Sequence, residues 1–342
     1  MASNQGFHSA HPLRIFGVPV ILTLLILALV ALNMGPAALL LTVLLCAIEV
    51  TFSFDNAIVD ARILRHMSPV WQKVFLTVGV LIGVLGMRLV FPIVIVAVTA
   101  QLDFRTVIDL ALNHPDQYAE SLEKAHPLIA SFGGSFLLML GLHFFFDKSQ
   151  KVHWLKIEKY LARAGSWWAP MTISLLITTI LALLPNHHDA KATAYAGIAG
   201  IFTFLLIHGL SEKVGHNKSL TSNVKKTGVA AFISFLYLEM LDASFSFDSV
   251  IGAFAITSEV IIIAVGLGIG ALWVRTLTVF MVRKQVLEQY KYLEHGAHYT
   301  ILILAAVLLS SLFFRLPEAV PGLVGISVIG ASVFASRKAR HA

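Results

Sequence analysis

Charge is scarce in this sequence. Lys, Arg, Asp and Glu make up 13% of its 342 residues, about half of the roughly 25% that a water-facing globular surface carries. That shortage excludes an ordinary soluble domain, and the 57% of apolar residues agrees. Cysteine is almost missing. Cys46 stands alone in an apolar run, so no internal disulfide can form. Low-complexity linkers are missing too, and nothing marks off a second domain. The chain reads as a single transmembrane domain over 1–342.

Apolar stretches of about 17–25 residues qualify as membrane spans. They fall near 15–32, 36–59, 74–99, 127–146, 169–184, 193–210, 228–256, 259–282, 298–314 and 319–335. The expected fold class is therefore an all-α polytopic membrane protein with about ten helices. The first stretch is long for a signal peptide and has no small-residue cleavage site, so it reads as a retained helix. With the N-terminus inside, the basic loops around Arg62–Lys73, Lys148–Arg163, Lys213–Lys226 and Arg283–Lys291 all fall on the cytoplasmic side, as does the C-terminal Arg337–Arg340. The opposite side holds only Arg105, Lys124, Lys191 and Arg315. This asymmetry places both termini in the cytoplasm. It also accounts for the net charge of +6 without nucleic acid as a partner.

Two loops have some body. Residues 147–168 are basic and amphipathic and predict an interfacial helix. Residues 101–126 are acid-rich and read as a solvated loop.

The sequence also repeats itself. Glu49-Val-Thr-Phe-Ser-Phe-Asp-Asn56 aligns without gaps on Asp242-Ala-Ser-Phe-Ser-Phe-Asp-Ser249. The next spans match as well: Val78–Gly83 with Arg88 parallels Val265–Gly270 with Arg275. The copies begin five spans apart, and an odd offset makes them cross the bilayer in opposite directions. That is the inverted-repeat plan of many secondary transporters. Repeat one covers about 36–146 and repeat two about 228–314, with connecting helices at about 169–210.

Ionisable groups inside a span cost about 2.5–3.5 kcal/mol each on insertion scales. Here Glu49, Asp55, Glu239, Asp242 and Asp248 oppose only Arg88 and Arg275, a net charge of −3 if all ionise. That excess calls for a bound cation or for held protons. At about 100° per residue, Glu49, Ser53, Asn56 and Asp60 share one stripe, and so do Glu239, Asp242, Ser246 and Ser249. Asp55 and Asp248 lie about 120° off these stripes in an ideal helix. Either they face another partner, such as an arginine, or the helix unwinds at Phe-Ser-Phe-Asp.

Carboxylate, hydroxyl and amide oxygens suit Mn²⁺, Mg²⁺ or Ca²⁺. Softer metals would need thiolate or clustered imidazole. Cys46 is alone, His143 and His208 lie near span ends with no visible partner, and His187–His188 read as a solvated turn. The glycines of the spans bearing Arg88 and Arg275 suggest close helix approach. A purely structural reading pairs Arg88 with Asp55 and Arg275 with Asp248. It leaves Glu49, Glu239 and Asp242 unexplained.

These segments resemble the TerC family of integral membrane proteins, named for tellurite resistance, within the lysine-exporter-like superfamily. The first motif there runs E-x5-D-N, matched by Glu49 to Asn56. The second runs D-x2-F-A-x-D-S-I-P-A and ends in F-A-I-T, matched by Asp242–Ser249 and by Phe254–Thr257. There are departures from the pattern: Ile251 replaces the proline after Asp-Ser, Phe54 replaces the leucine before Asp-Asn, and the extra end helices differ from the shorter common form. This places the chain with a divergent, TerC-like branch of unknown function. The resemblance implies manganese export and metal homeostasis, with Glu49, Asp55, Asn56, Asp242, Asp248 and Ser249 as ligands. No enzyme is expected, since no Gly-x-Gly-Asp or Gly-x-Ser-Gly segment supports intramembrane proteolysis. The expectation is an exporter of a divalent cation, most readily Mn²⁺, in a bacterial cytoplasmic membrane, with no tightly bound cofactor. Partners beyond the ion and the lipid bilayer, and the oligomeric state, are not encoded legibly. The rival class is a membrane scaffold of a stress-response complex that works through its basic loops.

Overall fold

The computed structural model describes residues 12–166, 168–184, 190–216, 225–314, 316–317 and 319–341. Helices α1 (Pro12–Phe52), α2 (Phe54–Leu64) and α3 (Pro69–Val74) open the chain. Two π-helical segments, Phe75–Gly79 and Ile82–Val90, continue α3 into α4 (Phe91–Thr99). Then come α5 (Phe104–Asn113), α6 (Pro115–Phe145), α7 (Lys156–Ala164), α8 (Ala169–Leu183) and α9 (Ala190–His216). The last five are α10 (Gly228–Phe254), α11 (Val260–Arg283), α12 (Val286–Gln289), α13 (Leu293–Ser310) and α14 (Ala319–His341). Among the described residues no strand forms. His187 and His188 lie outside the described residues.

Eight helices among these residues are long and apolar enough to cross a bilayer, or nine if α7 and α8, bent by 102°, form one span. The protein is a multi-pass membrane protein. The count falls below ten because α8, at 15 residues, is short for a span by itself, and because the expected spans 15–32 and 36–59 are counted together as the 41 residues of α1, which are two helices meeting at Gly35. A straight helix of that length would run about 60 Å, twice the hydrocarbon thickness of about 30 Å. It is not straight. Gly35 sits at φ 86°, ψ 179°, a conformation essentially reserved for glycine. Pro36 enforces the break, because a proline ring disfavours helical geometry at the residue before it. Leu25, Leu29 and Leu32 on α1 are exposed, as contact with lipid requires.

The chain forms two compact units. One draws on Met1–Lys124, Lys225–Thr227 and Leu241–Gln289, the other on Ala125–Val224, Gly228–Met240 and Tyr290–Ala342. In the first, α11 packs along α1, α2 and the second π-helical segment. Its apolar cluster joins Val30, Ala38 and Leu45 of α1 to Val250 and Ala253 of α10 and to Ile262, Ile263 and Leu267 of α11. In lipid, helices are drawn together by close van der Waals packing, so small residues matter at their contacts. A Cβ on Gly266 would lie 2.7 Å from the Leu45 Cβ. The turn after α2 is tied to the segment before α10, with Lys226 N donating to His66 O at 2.7 Å and Ser68 N to Lys226 O at 3.0 Å.

The acid-rich stretch 101–126 is not a plain solvated loop. It is α5 and the start of α6, with Val107, Ala111, Tyr118 and Leu122 buried four residues apart in pairs. Its acids serve the helices. Asp103 caps α5 by accepting from Arg105 N and Thr106 N, and Glu120 pairs with Lys124 at 2.8 Å.

The amphipathic stretch 147–168 contains α7 as expected. Its polar face is pinned in the second unit by Glu158, 2% exposed, at 2.9 Å from His295 Nδ1. Glu158 also accepts from Trp154 N at 2.7 Å. Burial alone would push its carboxyl up, but the hydrogen bond and charge of His295 and the Trp154 amide hold it below the usual 4.5. A depressed folded-state value stabilises the fold above the unfolded value, and that contribution is lost as pH falls through the folded one. Glu158→Ala should therefore lower stability by about 1.5–3 kcal/mol at neutral pH. In thermal melts against the parent, the difference should shrink below pH 4.5.

Candidate functional site

The first motif straddles a helix break. Phe52 closes α1, Ser53 sits at φ −98°, ψ 17°, and Phe54 opens α2. The disruption is slight, since Ser53 N still donates to Glu49 O at 2.9 Å while Ala57 N reaches Ser53 O at 3.4 Å. The second motif shows no such break, and α10 runs through it to Phe254. Ile251 fits this continuity: it keeps a backbone N–H that a proline at this position would delete. Unwinding at Phe-Ser-Phe-Asp is thus limited to one copy.

Glu49, Ser53, Asp55, Asn56 and Asp60 are all buried. So are Arg88, Ser246 and Arg275, with Ser249 half-buried. The side chain of Asp248 lies outside the described residues. Glu239 is buried and belongs to the second compact unit.

Each arginine holds the first acid of its own motif. Arg88 Nη2 donates to Glu49 Oε1 and Arg88 Nη1 to the Gly83 carbonyl. Arg275 Nη2 donates to Asp242 Oδ2 at 2.8 Å, and its guanidinium lies 4.7 Å from the Phe75 ring centroid. The pairing of Arg88 with Asp55 considered from sequence is therefore corrected, while that of Arg275 with Asp248 falls on a side chain outside the described residues. Asp55 sits instead in the first turn of α2, where a helix N-terminus favours negative charge. It accepts from Asn56 N at 3.0 Å and makes no ion pair among the described residues.

The two pairs occupy equivalent positions of the repeated motifs, and each packs against a glycine from the other copy. A Cβ on Gly270 would lie 2.5 Å from Glu49 Cβ and Cγ. A Cβ on Gly83 would lie 3.0 Å from Asp242 Oδ2 and 3.0 Å from Arg275 Nη2. Glycine at both places lets backbone meet ion pair directly. Arg88 also lies in the π-helical Ile82–Val90 segment, and this rare backbone form is frequent at functional sites.

Sequence reasoning missed Phe75, the partner choice of the arginines and the glycine seats. The repeated Gly83/Arg88 and Gly270/Arg275 spacing was the available signal for the last. His143 and His208 do have partners: their ring centroids are 4.2 Å apart, and Phe204 stacks on His208 at 5.3 Å. These contacts give them packing roles in the second unit.

Among the described residues no three His, Cys, Asp or Glu side chains converge on a point that would hold a metal ion. Buried oxygens are nevertheless left over. Glu49 Oε2, Asn56 Oδ1 and Ser246 Oγ have no hydrogen-bond partner, and neither does Arg88 Nε. An unmade bond at a buried polar group costs about 1–3 kcal/mol. Such groups are uncommon unless a ligand, a water or a second arrangement uses them.

No curated protein and no solved structure matches the chain. A family model matches residues 54–342, a stretch that contains Asp55, Asn56, Arg88, the whole second motif and Arg275. The chain belongs to the family described as "Protein of unknown function (DUF475)".

Proposed function

We propose that this protein is a secondary transporter that exports a divalent metal cation from a bacterial cytoplasm. The observation that carries this reading is the reciprocal seating of two acid–arginine pairs inside spanning helices, in motifs that also carry the unpartnered buried oxygens of Glu49, Asn56 and Ser246. Ion pairs kept only for structure would leave no need for those oxygens. Their hardness suits Mn²⁺, Mg²⁺ or Ca²⁺. Mn²⁺ leads because the motifs resemble those of the TerC family. Glu49, Asp55 and Asn56 from one motif and Asp242, Asp248 and Ser249 from the other would supply the ligands. The two motifs would act as inverted repeats around a midplane site and expose it alternately to either side. Both termini would lie in the cytoplasm.

The test is transport by purified protein in liposomes that enclose a Mn²⁺-sensitive dye. The parent should move Mn²⁺, and a combined Glu49→Gln and Asp242→Asn variant should be slower by at least about a hundredfold, since two charged ligand contacts are lost. A parent that moves no divalent ion, or a double variant that transports normally, sinks the proposal.

A further inference from the structure

Each arginine occupies an oxygen that a metal ion would also need. Arg88 holds Glu49 Oε1, and Arg275 holds Asp242 Oδ2. A carboxylate already paired to a guanidinium attracts a second cation far less, above all where the dielectric is low. Arginine and ion therefore compete for the same two carboxylates. Each guanidinium also has a second attachment that involves no carboxylate. For Arg88 it is the Gly83 carbonyl, and for Arg275 it is the Phe75 ring, which is fully buried. A guanidinium displaced from its acid keeps that attachment and stays beside the site instead of meeting lipid.

Resting on the transport reading above, we infer that Arg88 and Arg275 are tethered counter-ions of the transport cycle. Each replaces the ion on its carboxylate, so that Glu49 and Asp242 are not bare when the unloaded carrier returns. Gly83 and Phe75 are positioning groups that hold the arginines while the ion has their oxygens. The equivalence of the two pairs in the repeated motifs fits this role, because each copy supplies its own acid and its own substitute cation.

Two transport modes separate this role from a structural one. Net efflux of Mn²⁺ into Mn²⁺-free buffer requires the unloaded carrier to return. Exchange of labelled for unlabelled Mn²⁺ does not. In R88Q and in R275Q, net efflux should fall roughly a hundredfold while exchange stays within about threefold of the parent, the scale set by moving one bare carboxylate through a bilayer. R88K keeps the charge and should restore net efflux. Equal loss of both modes in the glutamine variants, or loss of neither, overturns the inference. Should the glutamine variants not reconstitute as monodisperse protein, R88K decides. A parent-like ratio of net efflux to exchange supports the role, and loss of both modes together overturns it. A parent that neither exchanges nor exports Mn²⁺ removes the transport reading itself. A transporting parent whose variants lose both modes equally removes only the counter-ion role.

Discussion

Glu49→Ala is expected to lower the unfolding free energy by about 3–5 kcal/mol, the usual consequence of removing one partner of a buried ion pair. The Arg88 side chain is 1% exposed, and without Glu49 it would keep only the Gly83 carbonyl. Asp55 does not take over, because it belongs to the first turn of α2 and bonds its own neighbour. A combined Glu49→Leu and Arg88→Met variant removes both charges and should recover most of the loss, since apolar replacement of a whole buried pair is often neutral or stabilising. The two variants should part company in function: both lose Mn²⁺ transport, but only the single one loses stability. Thermal unfolding in detergent, followed by intrinsic fluorescence, measures the first effect and the liposome assay the second. An unshifted melting temperature for Glu49→Ala would mean that Arg88 is solvated and the pair does not hold the fold.

The membrane character of this chain was legible because it rests on composition and on run length, which local context does not alter. So was the identity of the motif residues, since Phe-Ser-Phe-Asp recurs with an acid six residues before each aspartate. The span count was less legible. Gly35-Pro36 marks the break between two helices, but the sequence does not say whether a loop or a single residue at φ 86° joins them. The 101–126 stretch misled for another reason. Its acids drew attention as charge, while the signal that mattered was the apolar i, i+4 spacing of Val107/Ala111 and Tyr118/Leu122.

Partner choice among the intramembrane charges was the least legible feature. Arg88 is 39 residues from Glu49, and Arg275 is 33 from Asp242. Separations of that length carry no periodic information about which of two acids on a helix an arginine will meet. Helix register decides it, and register follows from how closely the backbones approach at Gly83 and Gly270. Phe75 was hidden for the same reason. Nothing local marks a phenylalanine of α3's π-helical extension as the platform for an arginine of α11.

Gly270→Val should be strongly disruptive although the residue bears no charge. The Cβ it introduces would lie 2.5 Å from Glu49 Cβ and Cγ and 3.2 Å from the Cys46 carbonyl. The Glu49 Cβ and the Cys46 carbonyl are fixed to the backbone and cannot rotate away, although the Cγ can. Helix α11 must move off α1 instead, at a cost of about 1–3 kcal/mol or more for overpacking, and Glu49 must turn from Arg88. Gly83→Ala meets a softer obstacle. Its Cβ would touch the ends of Asp242 and Arg275 at 3.0 Å, and both side chains have torsions to yield. This substitution should cost little stability, within about 1 kcal/mol, yet it should pry apart the second ion pair and slow transport. Melting temperature and Mn²⁺ flux of the two variants, measured side by side, check the contrast. Equal and small effects at both glycines would show that the helices do not meet as closely as Gly270 and Glu49 require, and the reciprocal seating that underlies the proposed site would go with it. The expected asymmetry instead makes Gly270 the structural seat of the pair and Gly83 the one through which the pair can be perturbed without unfolding the protein.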